Sequence, residues 1–472
     1  MTSPRVRPSL FAAIIGVAAL LAPAGIANAT PADDRRAGAQ PGAPGVGDPY
    51  FPESGNGGFH VAHYDLDLDY TPKTGYLRGR ATISAVATQS LSSFDLDLLG
   101  LQVGSVTVDD HIAPFTRTGQ ELVISPRRSI RPGQRFEVEV RYAGVPGAVI
   151  DPDGTSEGWI RTDDGSVFVA NEPQGAMSWF PANSHPIDKS AFDVTVRVPA
   201  GFTAVGNGEL VSQRSAGGAT TFHWREREPM AAYLATASIG RFEVSSYNIG
   251  RLPVYVAVDP REAARSAASL AKLPAILAWE IGVFGAYPFS STGAIVMHAP
   301  DVGYALETQT RPLFDEAVDD STLVHELAHQ WFGNSVSITR WQDIWLNEGF
   351  ATYAEWLWSE KNGGESTQQF FDDIYARPAD DDVWARPTAN PGSGEFIFYS
   401  PVYERGAMVM HELRQRVGDV AFFTILKVWA FQHAYDHGTT AQFTALATLI
   451  SHQDLSQLFQ TWLYTAGKPG SS

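Results

Sequence analysis

Two histidines and two glutamates carry most of the chemistry this sequence can offer. His325-Glu326-Leu327-Ala328-His329 sits in a stretch with helical patterning, where a spacing of four residues turns both imidazoles to one face. After eighteen more residues comes Glu348, within Trp345-Leu346-Asn347-Glu348-Gly349-Phe350-Ala351. Asn347 stands where a cap for a second helix belongs, and that helix is expected to deliver the Glu348 carboxylate as third ligand. Two imidazoles and one carboxylate leave a tetrahedral ion with an open corner for water, which marks a catalytic zinc site rather than a structural one. Zinc in such a site lowers the pKa of its water toward ~7 and polarises a carbonyl. Glu326 is beside a ligand on another face and is placed to take the proton of that water and pass it to a leaving amine. At the His and Glu frequencies of this chain, the pentapeptide pattern arises by chance roughly 0.02 times. A solvated helix carrying two unrelated histidines is therefore a poor account of it.

The elements that must position these residues divide the chain in two. Tyr64, Leu66, Leu68 and Tyr70 alternate with Asp65, Asp67 and Asp69, the period of a strand with one apolar face. Phe94, Leu96 and Leu98 alternate with Asp95 and Asp97, and Phe136 to Tyr142 and Phe192 to Val198 continue the pattern. Asp164-Gly165 predicts a tight hairpin turn between two such runs. Residues 49–250 thus read as an antiparallel β-sandwich-like domain. After a last strand at Leu252 to Val258, Asp259 and Pro260 predict the cap and first turn of a helix running to about Val283. A short strand at Ala294 to His298 follows. Helices are then expected at 319–333, 347–361, 402–416, 419–434, 440–451 and 453–465. Residues 251–472 form the second domain, and the fold class is α+β.

Composition narrows the rest. The 472 residues are 44% hydrophobic and 18% charged, and contain no cysteine. Disulfides, thiolate metal sites and cysteine nucleophiles are excluded, so any metal must sit on His, Asp or Glu. Arg5 and Arg7, the apolar run Leu10 to Leu21 and Ala27-Asn28-Ala29 predict a secretory signal cleaved after Ala29, too short to span a bilayer. Residues 30–48, rich in Ala, Pro, Gly and Asp, predict a disordered leader. The net charge of −18 falls to −20 with the loss of Arg5 and Arg7. Such acidity argues against a nucleic-acid partner and favours cationic ligands. A secreted, extracellular monomer with no membrane insertion after signal cleavage is the expectation.

The zinc motif and its surroundings resemble the aminopeptidase N family of gluzincin metallopeptidases, which includes the leukotriene hydrolase. The likeness covers nearly all of residues 49–470. His325 to Gly333 and Trp341 to Ala351 look like the two zinc-ligand helices of that family, and Phe284 to Phe289 resembles its FGxYPF segment. The resemblance implies a thermolysin-like catalytic domain, one zinc ion per chain, and peptide substrates with a free N-terminus. Tyr403-Glu404-Arg405-Gly406-Ala407 resembles the YEKGA segment, which implies that the Tyr403 phenol bonds the tetrahedral oxyanion. Tyr399, four residues earlier, is the rival. Tyr304-Ala305-Leu306-Glu307-Thr308 stands where the family has GAMEN on an edge strand. It keeps the glutamate, which implies capture of the substrate ammonium by Glu307, while Gly, Met and Asn are replaced. Asn171-Glu172-Pro173 matches the end of a QxEP-like motif and implies Glu172 as a second ammonium ligand, with Ala170 in place of the usual Gln. Longer relatives carry a helical C-terminal domain that roofs the cavity, and a chain stopping at Ser472 implies a more open cleft. An endo- or oligopeptidase and an inactive binding protein on the same fold are the competing readings.

Other signals predict less. His433 and His437 are four apart at a helix end, His60 and His63 fall on opposite strand faces, and Asp151 to Gly154 reads as a turn. Trp341, Trp345, Trp356 and Trp358 read as core and cleft wall.

Overall fold

Residues 38–470 are described in the computed structural model of the chain. The expected signal, residues 1–29, and residues 30–37 of the expected leader lie outside them.

Alternation builds the first half as read. Strands Phe59–Thr71, Tyr76–Ala87, Arg135–Gly144, Lys189–Pro199 and Ala219–Ala231 form the body of an eight-stranded sheet. Tyr64, Leu66, Leu68 and Tyr70 are buried on one face, with Phe136, Val138, Val140, Phe192, Val194 and Val196. This sheet is antiparallel except where Lys189–Pro199 runs parallel to Phe59–Thr71. A five-stranded sheet contains Ser156–Arg161 and Val167–Ala170, joined by the expected turn at Asp164-Gly165. A four-stranded sheet contains Leu91–Asp97 and Glu121–Ile124.

That small sheet departs from the sequence reading. Asp95 and Asp97 are buried along with Phe94, Leu96 and Leu98, because both faces of the strand are covered. Part of the cover is the expected leader, whose residues 38–48 are ordered rather than disordered. Gln40–Pro41 pairs in parallel with Leu91–Asp97, and Asp48 is buried, accepting N–H bonds from Tyr50 (2.8 Å) and Trp341 (2.9 Å) and facing His185 Nε2 (3.2 Å). A strap tied by its backbone and one buried acid needs no hydrophobic period, which is why its composition reads as disorder.

The second half starts earlier than the expected border at 250. Glu243–Ile249 forms a hairpin with Leu252–Val258, and that sheet continues through Thr292–Val296 and Leu313–Phe314 to the edge strand Ala305–Leu306. Helices follow the sequence with adjusted ends: α1 (Pro260–Leu270), α2 (Leu273–Phe284), α3 (Asp320–Ala328), α4 (Trp345–Lys361), α5 (Thr367–Tyr375), α6 (Ser400–Val417), α7 (Asp419–Gln432) and α8 (Thr440–Ser451). The single helix expected from 260 to 283 is two, bent by 46°. Pro274 lacks an N–H and its ring would clash with the carbonyl of Leu270, so the chain breaks there. The expected 453–465 helix is one short turn, Ser456–Phe459, running into a wider π-type turn, Gln460–Tyr464. No single helix among the described residues is long and apolar enough to cross a membrane.

Candidate metal centre and active site

Helix α3 begins where Asp319 accepts the N–H of Thr322 (2.8 Å), and it ends after two and a half turns with His329 as its last, capping residue. His325 and His329 therefore stack one turn apart, ring centroids 4.7 Å from each other. Helix α4 packs across α3 and brings Glu348. Its Oε2 lies 3.3 Å from Nε2 of each histidine. Asn347 is not the cap of this helix. A 3-10 turn at Trp341–Asp343 leads straight into it, Ile344 already has helical angles, and Asn347 is buried with neither side-chain heteroatom bonded.

The other ring nitrogens are committed. His325 Nδ1 lies 2.7 Å from Glu355 Oε1, and His329 Nδ1 lies 3.0 Å from the carbonyl of Phe332. Acceptors at Nδ1 hold the proton there and present the Nε2 lone pairs to a common point. One atom each from His325, His329 and Glu348 falls within 4.8 Å of the others. Two nitrogen donors and one carboxylate are the donor set that zinc takes, whereas calcium and magnesium require oxygen throughout. The residues fit zinc.

Glu326 is buried, and a carboxylate oxygen of it lies within 4.8 Å of both a His329 ring nitrogen and a Glu307 oxygen. Without a bound metal, burial pushes its carboxyl up to about 8, with the histidines opposing and Glu307 and Glu348 adding; a bound dication opposes that rise. Glu307 follows the edge strand Ala305–Leu306. Its carbonyl is held by Asn334 Nδ2 (2.7 Å) and Gln330 Nε2 (3.2 Å), so the strand end is fixed from the loop after α3. Glu172 follows Val167–Ala170 in the β-domain. An oxygen of Glu172, one of Glu307 and one of Glu348 lie within 4.8 Å of each other. Oε1 of both Glu172 and Glu307 is buried without a hydrogen-bond partner among the described residues. Burial, then Glu307 and Glu348, hold the Glu172 carboxyl well above its ordinary range.

Tyr403 lies in the first turn of α6 with its ring parallel to that of His325, 14° between planes and 6.0 Å between centroids. Burial and the surrounding glutamates keep its phenol protonated, a hydrogen-bond donor. Tyr399 is 40% exposed outside the helix and packs on Phe396. All seven residues singled out in the sequence thus converge on one site. Glu355, Gln330 and Asn334 were not singled out. Glu355 lies seven residues after Glu348, two helical turns along the same face, and that spacing was the available signal. Among the described residues the histidines set aside join no metal-holding group: His437 Nε2 meets the carbonyl of Pro186 (3.0 Å), His433 Nδ1 that of His437 (2.7 Å), and His63 pairs with Asp193 (3.0 Å), which His223 and Arg225 share. Asp151 to Gly154 is a turn closed by Gly154 N–H on Asp151 O (2.9 Å).

Known proteins bear on this geometry. The peptidase M1 N-terminal domain matches residues 60–234, and the peptidase family M1 domain matches residues 297–462. Probable aminopeptidase 2 of Sulfurisphaera tokodaii is 24% identical over 441 residues, covering 87% of this chain and 54% of that protein. Leucyl aminopeptidase of Saccharolobus solfataricus is 24% identical with the same coverage. The chain spans about half the length of these curated relatives. Among solved structures, an M1 zinc metallopeptidase from Deinococcus radiodurans is 30% identical with a TM-score of 0.82, over 91% of this chain and 100% of that one. A mutant of that metallopeptidase, bound to a Tyr-Ser-Ala substrate, is 29% identical with a TM-score of 0.82, over 91% and 99%. Both halves of the chain match, and the ligand set matches the metal of those structures: the protein belongs to peptidase family M1, the zinc metallopeptidases.

Proposed function

We propose that this chain is a zinc-dependent aminopeptidase, secreted after removal of residues 1–29 and acting as a monomer on peptides with a free N-terminus. The observation that carries the reading is the pair Glu172 and Glu307. A buried carboxylate, Glu307, and a half-buried one, Glu172, each with a buried unpartnered oxygen beside a metal centre, are costly unless a cation fills the space between them. A substrate ammonium, with three N–H donors, answers that need and fixes the first peptide bond next to His325, His329 and Glu348. The solved relative bound to Tyr-Ser-Ala supports a peptide as the ligand, and a second one is bound to L-arginine.

Zinc, when bound by His325, His329 and Glu348, supplies Lewis acidity toward the scissile carbonyl and acidifies water. Glu326 takes the proton of the attacking water on its carboxylate and returns it to the departing amine nitrogen. Tyr403 donates a phenolic hydrogen bond to the oxyanion that forms on the carbonyl oxygen when water adds to the carbonyl carbon. Glu307 and Glu172, one from each domain, hold the amine, so only the bond one residue away lies in reach.

The test uses a peptide in free and N-acetylated form. The free peptide should release its first residue, chelation should abolish the activity and zinc restore it, and Glu326→Gln should lower kcat by about 10²–10⁴-fold with zinc retained. Equal cleavage of the acetylated peptide would overturn amine capture and favour an endo- or oligopeptidase. No cleavage by the zinc-loaded protein would leave a binding protein.

A further inference from the structure

At the far edge of the eight-stranded sheet, Gln102–Val108 turns back through Asp109 and Asp110, whose left-handed angles (φ 49° and 62°) make a tight reversal into His111–Ile112. Beside this hairpin runs Pro126-Arg127-Arg128-Ser129-Ile130-Arg131, the loop leading toward Arg135–Gly144. Hairpin and loop flank an open cleft of about 700 Å³. Arg127, Arg128 and Arg131 line it together with His111, Ser90 and Gln134. Val108 and Ile130, both buried, contribute its apolar part.

The charge here runs against the rest of the molecule. The chain has 52 Asp and Glu against 34 Lys and Arg, yet three arginines fall within five residues. Some exposed arginines elsewhere on this domain meet acids, Arg141 with Glu139, Arg197 with Asp69 and Arg227 with Glu209, whereas Arg78, Arg135 and Arg214 have no ion pair among the described residues; what sets Arg127, Arg128 and Arg131 apart is that they share one concavity. Among the described residues, the guanidinium groups of Arg127, Arg128 and Arg131 have neither an ion-pair partner nor a hydrogen-bond acceptor. The acid on the wall, Asp109, forms no ion pair with them; its Oδ1 accepts the N–H of Glu137 (3.0 Å). His111 Nδ1 lies 2.6 Å from the carbonyl of Asp109, which fixes the ring on the hairpin.

Three guanidinium groups around one concavity, with no acid paired to them among the described residues, repel each other, and a bound anion reverses that cost. Guanidinium forks match the oxygens of phosphate and sulfate two at a time, and hydroxyl and amide donors complete such a site. The volume is that of a small-ligand site. We propose that this cleft is an anion-binding site for phosphate or sulfate groups, carried either on a small free anion or on an anionic polymer. It is built from the β-domain alone, on none of the elements that carry the metal centre or Glu172.

Isothermal titration of the zinc-loaded full chain with sodium tripolyphosphate probes the free anion, and retention on immobilised heparin probes the polymer. Two triple variants with equal net charge are compared: Arg127→Ser with Arg128→Ser and Arg131→Ser, and Arg78→Ser with Arg214→Ser and Arg251→Ser, which lie outside the cleft. The expected result is one tripolyphosphate per chain, bound more weakly at about 200 mM than at about 50 mM salt. The cleft variant should lose at least about tenfold in affinity, worth about 1.4 kcal/mol, and the outside variant less than about twofold. Heparin retention that falls only in the cleft variant assigns the site to a polymer, and retention equal in both with tripolyphosphate loss assigns it to a free anion. Binding of neither probe by the unsubstituted chain, or equal weakening in both variants, would overturn the site.

Discussion

At His325 the nitrogen that does not face the metal decides how well the other one does. Glu355 Oε1 lies 2.7 Å from Nδ1, and Glu355 is itself held, since Ser321 Oγ donates to its Oε2 at 2.6 Å. A carboxylate on the Nδ1 proton fixes the tautomer, orients the ring and makes Nε2 more basic. His329 has only the neutral carbonyl of Phe332 for this purpose. Glu355→Ala is therefore expected to weaken zinc binding by about 10–100-fold, measured by competition with a chelator. Glu355→Gln should recover part of the loss, because its amide oxygen still accepts the Nδ1 proton. Zinc affinity unchanged in the alanine variant would reduce Glu355 to an ordinary half-buried acid.

Between elements, the decisive contact is glycine on glycine. Gly349 follows ligand Glu348 on α4, and Gly406 lies one turn beyond Tyr403 on α6. A Cβ on either would sit 2.8 Å from the Cα of the other. That closeness brings the Tyr403 ring alongside His325. Gly406→Ala should force the helices apart, cost about 1–3 kcal/mol of stability in denaturant titration, and lower kcat with zinc still bound. A variant with unaltered kcat would show that Tyr403 does not depend on this contact. The sequence showed these elements unevenly. Period two and the spacing of four residues are imposed by backbone geometry, so the strands of the large sheet and the His325–His329 pair were legible. Tyr403 and Glu307 were reached through resemblance alone. Glu355 reads as one more helix-surface acid until its partner is in place. Asn347 has a capping side chain but lies inside a helix, because the turn before it is already helical. Pro274 was visible, yet the run of Ala and Leu on both sides concealed the break it causes.

For the whole molecule, alternation identified one covered face of Leu91–Asp97 and said nothing about the other. The strap of residues 38–57 and the loop at 182–184 close that second face over three acids. Asp97 accepts the N–H groups of Ser184 (2.8 Å) and Gly55 (3.1 Å), and burial still pushes its carboxyl up to about 7. Glu121 is its direct cross-strand neighbour, with both carboxyl oxygens buried and unpartnered among the described residues. Burial pushes Glu121 up to about 8, with Asp97, Asp95 and Glu53 adding repulsion and Gln120 opposing, while burial brings Asp95 to about 6. These groups bind protons more tightly in the folded chain than in the unfolded one. Their contribution to stability is therefore complete below about pH 4 and is lost as pH rises through about 6 to 8. The melting temperature should fall between pH 6 and 8.5, as these acids ionise without a cation to meet them. Glu121→Gln removes the highest of the three titrations while keeping the shape. It should flatten that fall and raise the melting temperature at pH 8.5 by at least about 2 °C, with little effect at pH 5. A variant whose melting curve parallels the parent at every pH would show that water or an ion already satisfies Glu121, and that the strap covers a neutralised pocket rather than three competing acids.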